Sequence, residues 1–299
     1  MIEIDGAFGE GGGQILRTSL ALSLITRQAF RISNIRAHRL KPGLRRQHVT
    51  AVEAAATVGA ADIDGARADS RALVFRPKRV HAGEYRFSIG TAGSTTLVFQ
   101  AVLPALMIAD GPSRLTFEGG THNSGAPPFD YLDRVFLPVL NRMGPTVRMR
   151  LLRHGFAPGG RGEFEVSVIP VRRLASLELT SRGDIRGRNI RAIYSNLPDH
   201  VAERELAIVR SHPDWREVSG TADRVAAAGP GNIVLLEVRS ERLNVLHREE
   251  TGSALCRCGT LLRLRRNRCG NGDRRCGASC GRTSDFDGLP QTEINGKGK

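Results

Sequence analysis

The chain has 299 residues, 40% hydrophobic and 25% charged, the proportions of a folded globular protein of about two domains. No run approaches the ~18 consecutive apolar residues of a membrane span, and the opening MIEIDG is not a basic-then-apolar leader, so a soluble, cytoplasmic protein without a membrane partner is expected. Lys and Arg total 44 against 30 Asp and Glu, a net charge of +14. Nearly all the excess is Arg, whose planar fork of donors grips phosphates, so a nucleotide or nucleic-acid partner is expected; an Arg-favouring, GC-rich gene is the other source of such an excess.

In chain order, two stretches match at a spacing of 84 residues. Ile4-Asp5-Gly6-Ala7-Phe8-Gly9-Glu10 precedes QILRTSLALSLIT, and Ser88-Ile89-Gly90-Thr91-Ala92-Gly93-Ser94 precedes TTLVFQAVLPALMIA. Each reads as a short strand, a G-x-x-G turn and a helix. In the first helix Ile15, Leu16, Ser19, Leu20, Leu22 and Leu24 recur at helical spacing and are expected on its buried side. The match continues. RISNIRA and RLTFEGG are strand-like, and a Pro turn follows each, Lys41-Pro42-Gly43 and Ala126-Pro127-Pro128. Second helices follow, HVTAVEAAATVGA and FDYLDRVFLPVLNRMG, each stopping at Gly. Two strands close each unit: ALVFRP with YRFSIG, and VRMRLL with FEVSVIP. The unit is β-α-β-α-β-β, about 85 residues long, and tandem copies should bury their helical faces against one another.

From about Leu177 the pattern changes. LELTSRG, a strand around NIRAIYSN, a helix around HVAERELAIVRSHP and a strand NIVLLEVRS suggest a smaller α/β module. After Asn244 no element can be assigned. The expected organisation is a first repeat at 1–88, a second at 89–176, an incomplete insert at 177–246 and an aberrant tail at 247–299.

The ordered motifs DGAFGEGGGQILR, IRAHRLKPGLRRQH, SIGTAGSTTLVFQAVLPAL, GGTHNSGAPPFDY, RHGFAPGGRGE, HVAERE and GPGN resemble the RNA 3'-terminal phosphate cyclases. The resemblance runs from Ile2 to about Leu243. It implies an α/β (α+β) fold of tandem βαβαββ repeats, like the C-terminal domain of a bacterial translation initiation factor, with a smaller α/β insert domain before a third repeat. It also implies the reaction. ATP and a divalent metal (Mg or Mn) serve to adenylylate a histidine near the C-terminus. AMP then passes to the RNA 3'-phosphate end, and the ribose 2'-OH closes a 2',3'-cyclic phosphodiester as AMP leaves. A neutral imidazole is nucleophilic near neutral pH, and AMP is a better leaving group than a bare phosphate oxygen.

By the same resemblance Glu10 holds the metal; a carboxylate favoured by the helix dipole is the alternative. Gln100 occupies the family's nucleotide-contacting position, and Gln14 and Arg17, close together on the first turn of the helix, are expected to face the same pocket, so the three are the candidates for ATP. On the residues alone, Gln100 would be a satisfied core glutamine. Arg36, Arg39, Lys41, Arg45 and Arg46 fall within eleven residues around a Pro-Gly turn. A charge run is usually a solvated loop, but the match to R-x-x-R-x-K-P-G-x-x-R-Q-H makes Arg36, Arg39, Arg46 and His48 the candidates for substrate phosphate and RNA. His122 and Asn123 are read as ordering their loop. His154, His200 and His247 have no site argument.

Two departures stand out. Arg161 interrupts a glycine run as Gly160-Arg161-Gly162, and a positive φ there would cost about 1 kcal/mol or more. After His247 there is no histidine and no βαβαββ pattern in 52 residues, and all five cysteines of the chain lie in that stretch. No catalytic nucleophile is therefore identified. The stretch reads as a GC-rich gene does out of frame, with a frameshift near residues 243–248; a disordered basic RNA-binding tail and a zinc site are the alternatives, though C-x-C-x10-C-x6-C-x3-C lacks paired knuckles. The reading is a cyclase by family. A non-catalytic, cyclase-like RNA-binding protein is the alternative, and a six-repeat enolpyruvyl transferase would need a longer chain.

Overall fold

The computed structural model describes residues 1–249. The first unit is β1 (Ile2–Asp5), α1 (Gln14–Thr26), β2 (Phe30–Ser33), α2 (Arg46–Gly59), β3 (Asp62–Asp64) and β4 (Leu73–Arg76). The second is β5 (Glu84–Ser88), α3 (Thr95–Leu106), β6 (Ser113–Gly119), α4 (Phe129–Tyr131) continuing through a π-helical turn at Leu132–Phe136 into α5 (Leu137–Asn141), then β7 (Thr146–Arg153) and β8 (Gly162–Ile169). Their sheets have one topology, β1-β2-β4-β3 and β5-β6-β8-β7. In each, the first two strands are parallel and the rest antiparallel. A parallel pair needs a crossover, and α1 and α3 supply it.

The repeat is thus real, with one strand reassigned. YRFS is β5, paired with β6 in the second sheet, and does not close the first unit. That place belongs to β3, which the sequence hides: Asp62-Ile63-Asp64 is three exposed residues with no apolar alternation.

One continuous core joins the two units. Leu16, Leu20 and Leu24 of α1, Ala51, Val52, Ala55 and Val58 of α2, and Val98, Phe99 and Val102 of α3 are fully or almost fully buried in it. Burying each leucine contributes about 1.5–3 kcal/mol. Phe99 meets Phe117 edge-on at 5.8 Å, and Phe117 stacks on Phe164 at 5.0 Å. Leu22 departs from expectation: it is 54% exposed, because Ala21 and Ser23 take the flanks of the buried stripe.

The third sheet has the order β10-β9-β11-β12, from β9 (Ile185–Ser195), β10 (Gly220–Arg224), β11 (Gly231–Ser240) and β12 (Val245–Glu249), with α6 (Asp199–Arg210) against β9 and β10. Phe156, from the loop between β7 and β8, packs on Ile193, Ile233 and Leu235 and so closes this sheet onto the second unit. LELTSRG forms no strand, and β12 carries the sheet past Asn244. The expectations for the tail beyond residue 249, including a frameshift and a zinc site, lie outside the described residues. Among the described residues no helix is long and apolar enough to cross a membrane.

Candidate phosphate and nucleotide site

The site is built where β1 gives way to α1. Gly11 sits at φ +53, and a Cβ there would meet the His38 ring. Gly13 caps α1 without a side-chain hydrogen bond, so among the described residues no side chain caps the first-turn N–H groups of this 13-residue helix. A Cβ at Gly13 would collide with His48 Nε2 and crowd Arg17. The glycine therefore lets these two side chains reach the helix end.

Arg17 is only 8% exposed. Its Nη2 donates to Gln14 Oε1 at 2.8 Å, and its Nε to Gln100 Oε1 at 3.4 Å. Burial lowers its pKa to about 10, leaving it charged at neutral pH. The three residues expected at ATP are thus brought together. Gln100 itself is exposed at the join between α1 and α3, so the core-glutamine reading does not describe it.

His48 is 4% exposed at the third position of α2. Its Nδ1 accepts the Arg45 backbone N–H at 3.1 Å, which leaves the ring proton on Nε2, beside Gly13. Burial, then the Arg36, Arg17 and Arg45 charges, push its pKa down to about 3. It is a neutral donor at physiological pH. Arg39 reaches Glu10 at 3.0 Å in an exposed pair, worth at most about 1 kcal/mol and easily exchanged for a ligand. Arg36 stands apart from the substrate-contact reading in one respect: its Nη1 donates to the Lys41 and Gly43 carbonyls at 2.7 and 2.9 Å and holds the Lys41-Pro42-Gly43 turn. Arg45 pairs with Asp69 at 2.5 Å. Arg46 leans the other way, with Nη2 3.3 Å from where a Cβ on Gly90 would lie, over the second G-x-x-G turn.

That second turn is closed where the first is open. Ser94 caps α3 by accepting the Leu97 N–H at 3.3 Å, and the Ser94 N–H donates to Gln47 Oε1 at 2.9 Å. The GGTHN loop is stitched to it: Thr95 N–H donates to Gly120 O at 2.9 Å, Thr96 Oγ1 to Pro127 O at 2.8 Å, and Asn123 Nδ2 to Ala92 O.

A buried network holds that loop. His122 lies at 2.7 Å from Thr121 Oγ1 through Nδ1 and 2.9 Å from Asp130 Oδ2 through Nε2, and it stacks on His154. Asp130 Oδ1 accepts from Arg191 of β9 at 2.9 Å. Burial pushes the Asp130 carboxyl up, but His122, Arg191 and Arg134 outweigh it and hold its pKa at about 2. Burial pushes His154 down to about 4. This geometry suits loop ordering. The sequence reading missed Asp130, Arg191 and Gln47. The available signal was Arg191 itself, a charge inside the apolar strand NIRAIY.

Among the described residues no three His, Cys, Asp or Glu side chains converge as a metal cage. Glu10 fits as a single protein ligand, the arrangement in which Mg²⁺ takes one carboxylate and completes its shell with substrate phosphates and water.

A family profile described as RNA 3'-terminal phosphate cyclase matches residues 8–271. The chain belongs to that family. Among similar cyclases, the RNA 3'-terminal phosphate cyclase of Koribacter versatilis (strain Ellin345) is 49% identical over 246 residues, 81% of this chain and 68% of the relative. That of Ralstonia nicotianae is 51% identical over 243 residues, 81% and 70% of the two chains. That of Ectopseudomonas mendocina (strain ymp) is 50% identical over 238 residues, 79% and 69%. The family match begins just after β1 and takes in the rest of both repeats and the whole third sheet.

Proposed function

We propose that this site serves the ATP-dependent conversion of an RNA 3'-terminal phosphate to a 2',3'-cyclic phosphodiester. One observation carries the reading: an uncapped helix N-terminus faces a buried, charged Arg17 and the Nε2–H of a neutral His48. A helix dipole beside that much positive charge favours an anion. Arg17, oriented by Gln14 and Gln100, clamps a nucleotide phosphate. His48 donates without adding charge, and its buried ring is held in one tautomer by the Arg45 N–H. Arg39 and Arg46, on either side, hold the RNA 3'-phosphate. Glu10 would hold Mg²⁺ or Mn²⁺, which supplies charge neutralisation at phosphorus. The cytoplasm is the expected compartment.

The test is equilibrium binding of paired short RNAs ending in 3'-phosphate or 3'-OH to the 299-residue chain. The phosphate end should bind at least ~10-fold tighter, and Arg39→Ala with Arg46→Ala should abolish that preference. Equal affinity of the wild-type chain for both ends refutes the assignment.

A further inference from the structure

The third sheet is ragged at one end. β10 covers β9 only from Ile190 onward, and β12 covers β11 only as far as Val238. Residues 185–189 of β9 and the end of β11 therefore run on as a ribbon of two strands, with Arg188 opposite Val238 and Gly187 opposite Arg239. Arg186, Arg188 and Arg239 are exposed on it. At its base the Arg242 N–H donates to Arg182 O at 3.0 Å, and Arg142 Nη1 donates to Arg242 O at 3.1 Å, so three more exposed arginines gather there.

Against these six stand Asp184 and Glu241. The Glu241 carboxylate is engaged by Arg186 and by the Asp184 N–H. The side chains of Arg182, Arg188, Arg239 and Arg242 make no hydrogen bond or ion pair among the described residues. Gly187 leaves room for the Arg239 guanidinium, whose Nη2 lies 3.2 Å from where a Cβ would be. Self-repulsion in such a cluster costs stability and is relieved by a polyanion.

We propose that this arginine ribbon binds the phosphate backbone of single-stranded RNA at nucleotides beyond those seated in the site. The inference rests on the RNA reading above. The chemistry favours phosphate over a carboxylate-bearing protein. The guanidinia are exposed, and no aromatic side chain stands among them to anchor a protein partner, which suits sequence-independent contact with a repeating charge.

The experiment compares a fluorescent 20-nucleotide RNA, with 3'-phosphate and with 3'-OH, and a 3'-phosphorylated trinucleotide, on the full chain and on the variant Arg182→Ser, Arg188→Ser, Arg239→Ser. Both 20-mers should bind the variant at least ~10-fold more weakly. The slope of log affinity against log salt should fall by about 2, that is ~0.7 per lost phosphate contact. The trinucleotide should be unaffected, and the triple Lys variant at the same positions should restore the slope. Unchanged 20-mer affinity and slope overturn the proposal, as does an equal loss on the trinucleotide. So does polyglutamate competing as well as polyuridylate, which would point to an acidic protein. Because the ribbon is read from the loss that the 3'-OH 20-mer shows on the variant, a missing 3'-phosphate preference would sink the site assignment without touching this one.

Discussion

Protonation of His48 should be the main acid liability of the site. Its pKa is about 3 in the fold against 6.5 unperturbed, so between those values the unfolded chain binds a proton that the folded chain refuses. The depressed value makes its contribution full above pH ~6.5, and the contribution is lost as pH falls toward 3. At 1.36 kcal/mol per unit, the loss from pH 7 to pH 4 is about 3 kcal/mol. Urea unfolding of the wild-type chain and His48→Gln at pH 4–7.5 would show it. Glutamine can still accept the Arg45 N–H, and shared groups such as His154 and Asp130 cancel in the difference. The wild-type stability minus the variant's should fall by about 1 kcal/mol per pH unit below 6. A flat difference would mean that the folded imidazole accepts a proton freely, and with it the neutral-donor role would fail.

Arg161 stands at φ +53. Arg161→Gly should stabilise by about 0.5–1 kcal/mol, since relief of ~1–2 kcal/mol of left-handed strain exceeds the added chain entropy; Arg161→Ala, which keeps the strain, should give no gain in Tm. Asp130→Ala should destabilise by about 3 kcal/mol or more, measured by denaturant unfolding, because Arg191 and His122 lose a buried partner together. Given labelled ATP and Mn²⁺, the 299-residue chain should form no covalent AMP adduct, since residues 248–299 contain no histidine; an acid-labile, hydroxylamine-sensitive adduct would contradict this, and His48 would be the first residue to substitute.

Most of the two repeats was legible because their helices are long and periodic and their turns are marked by glycine and proline. QILRTSLALSLIT is α1 residue for residue. The errors fall where the pattern is weak. β3 has one apolar residue, and YRFS alternates equally well as the end of one unit or the start of the next, so only pairing decides it. The cation loop could be read as a group, but not the division within it. Nothing in spacing separates Arg36, which braces the turn, from Arg46, which reaches the second turn. The Asp130–Arg191 contact joins residues 61 apart, one on α4 and one on β9; the charge inside NIRAIY marks Arg191, but nothing local names its partner.

The two copies of the repeat agree in strand order and differ in their loops. The stretch between the first strand and first helix is eight residues, 6–13, in one copy and six, 89–94, in the other. The shorter loop ends in a serine that caps its own helix, and the longer ends in a glycine that does not. Duplication thus supplied two helix ends in one setting, and a single cap residue has divided the labour between them. One end is sealed and serves as a fixed point for the surrounding loops. The other has no side-chain cap at its glycine, and on the function proposed above an anion would complete it. A side chain able to seal the first end, such as serine in place of Gly13, would also strike His48. The same crowding that brings His48 to the helix end therefore guards that end against drifting into a copy of its twin.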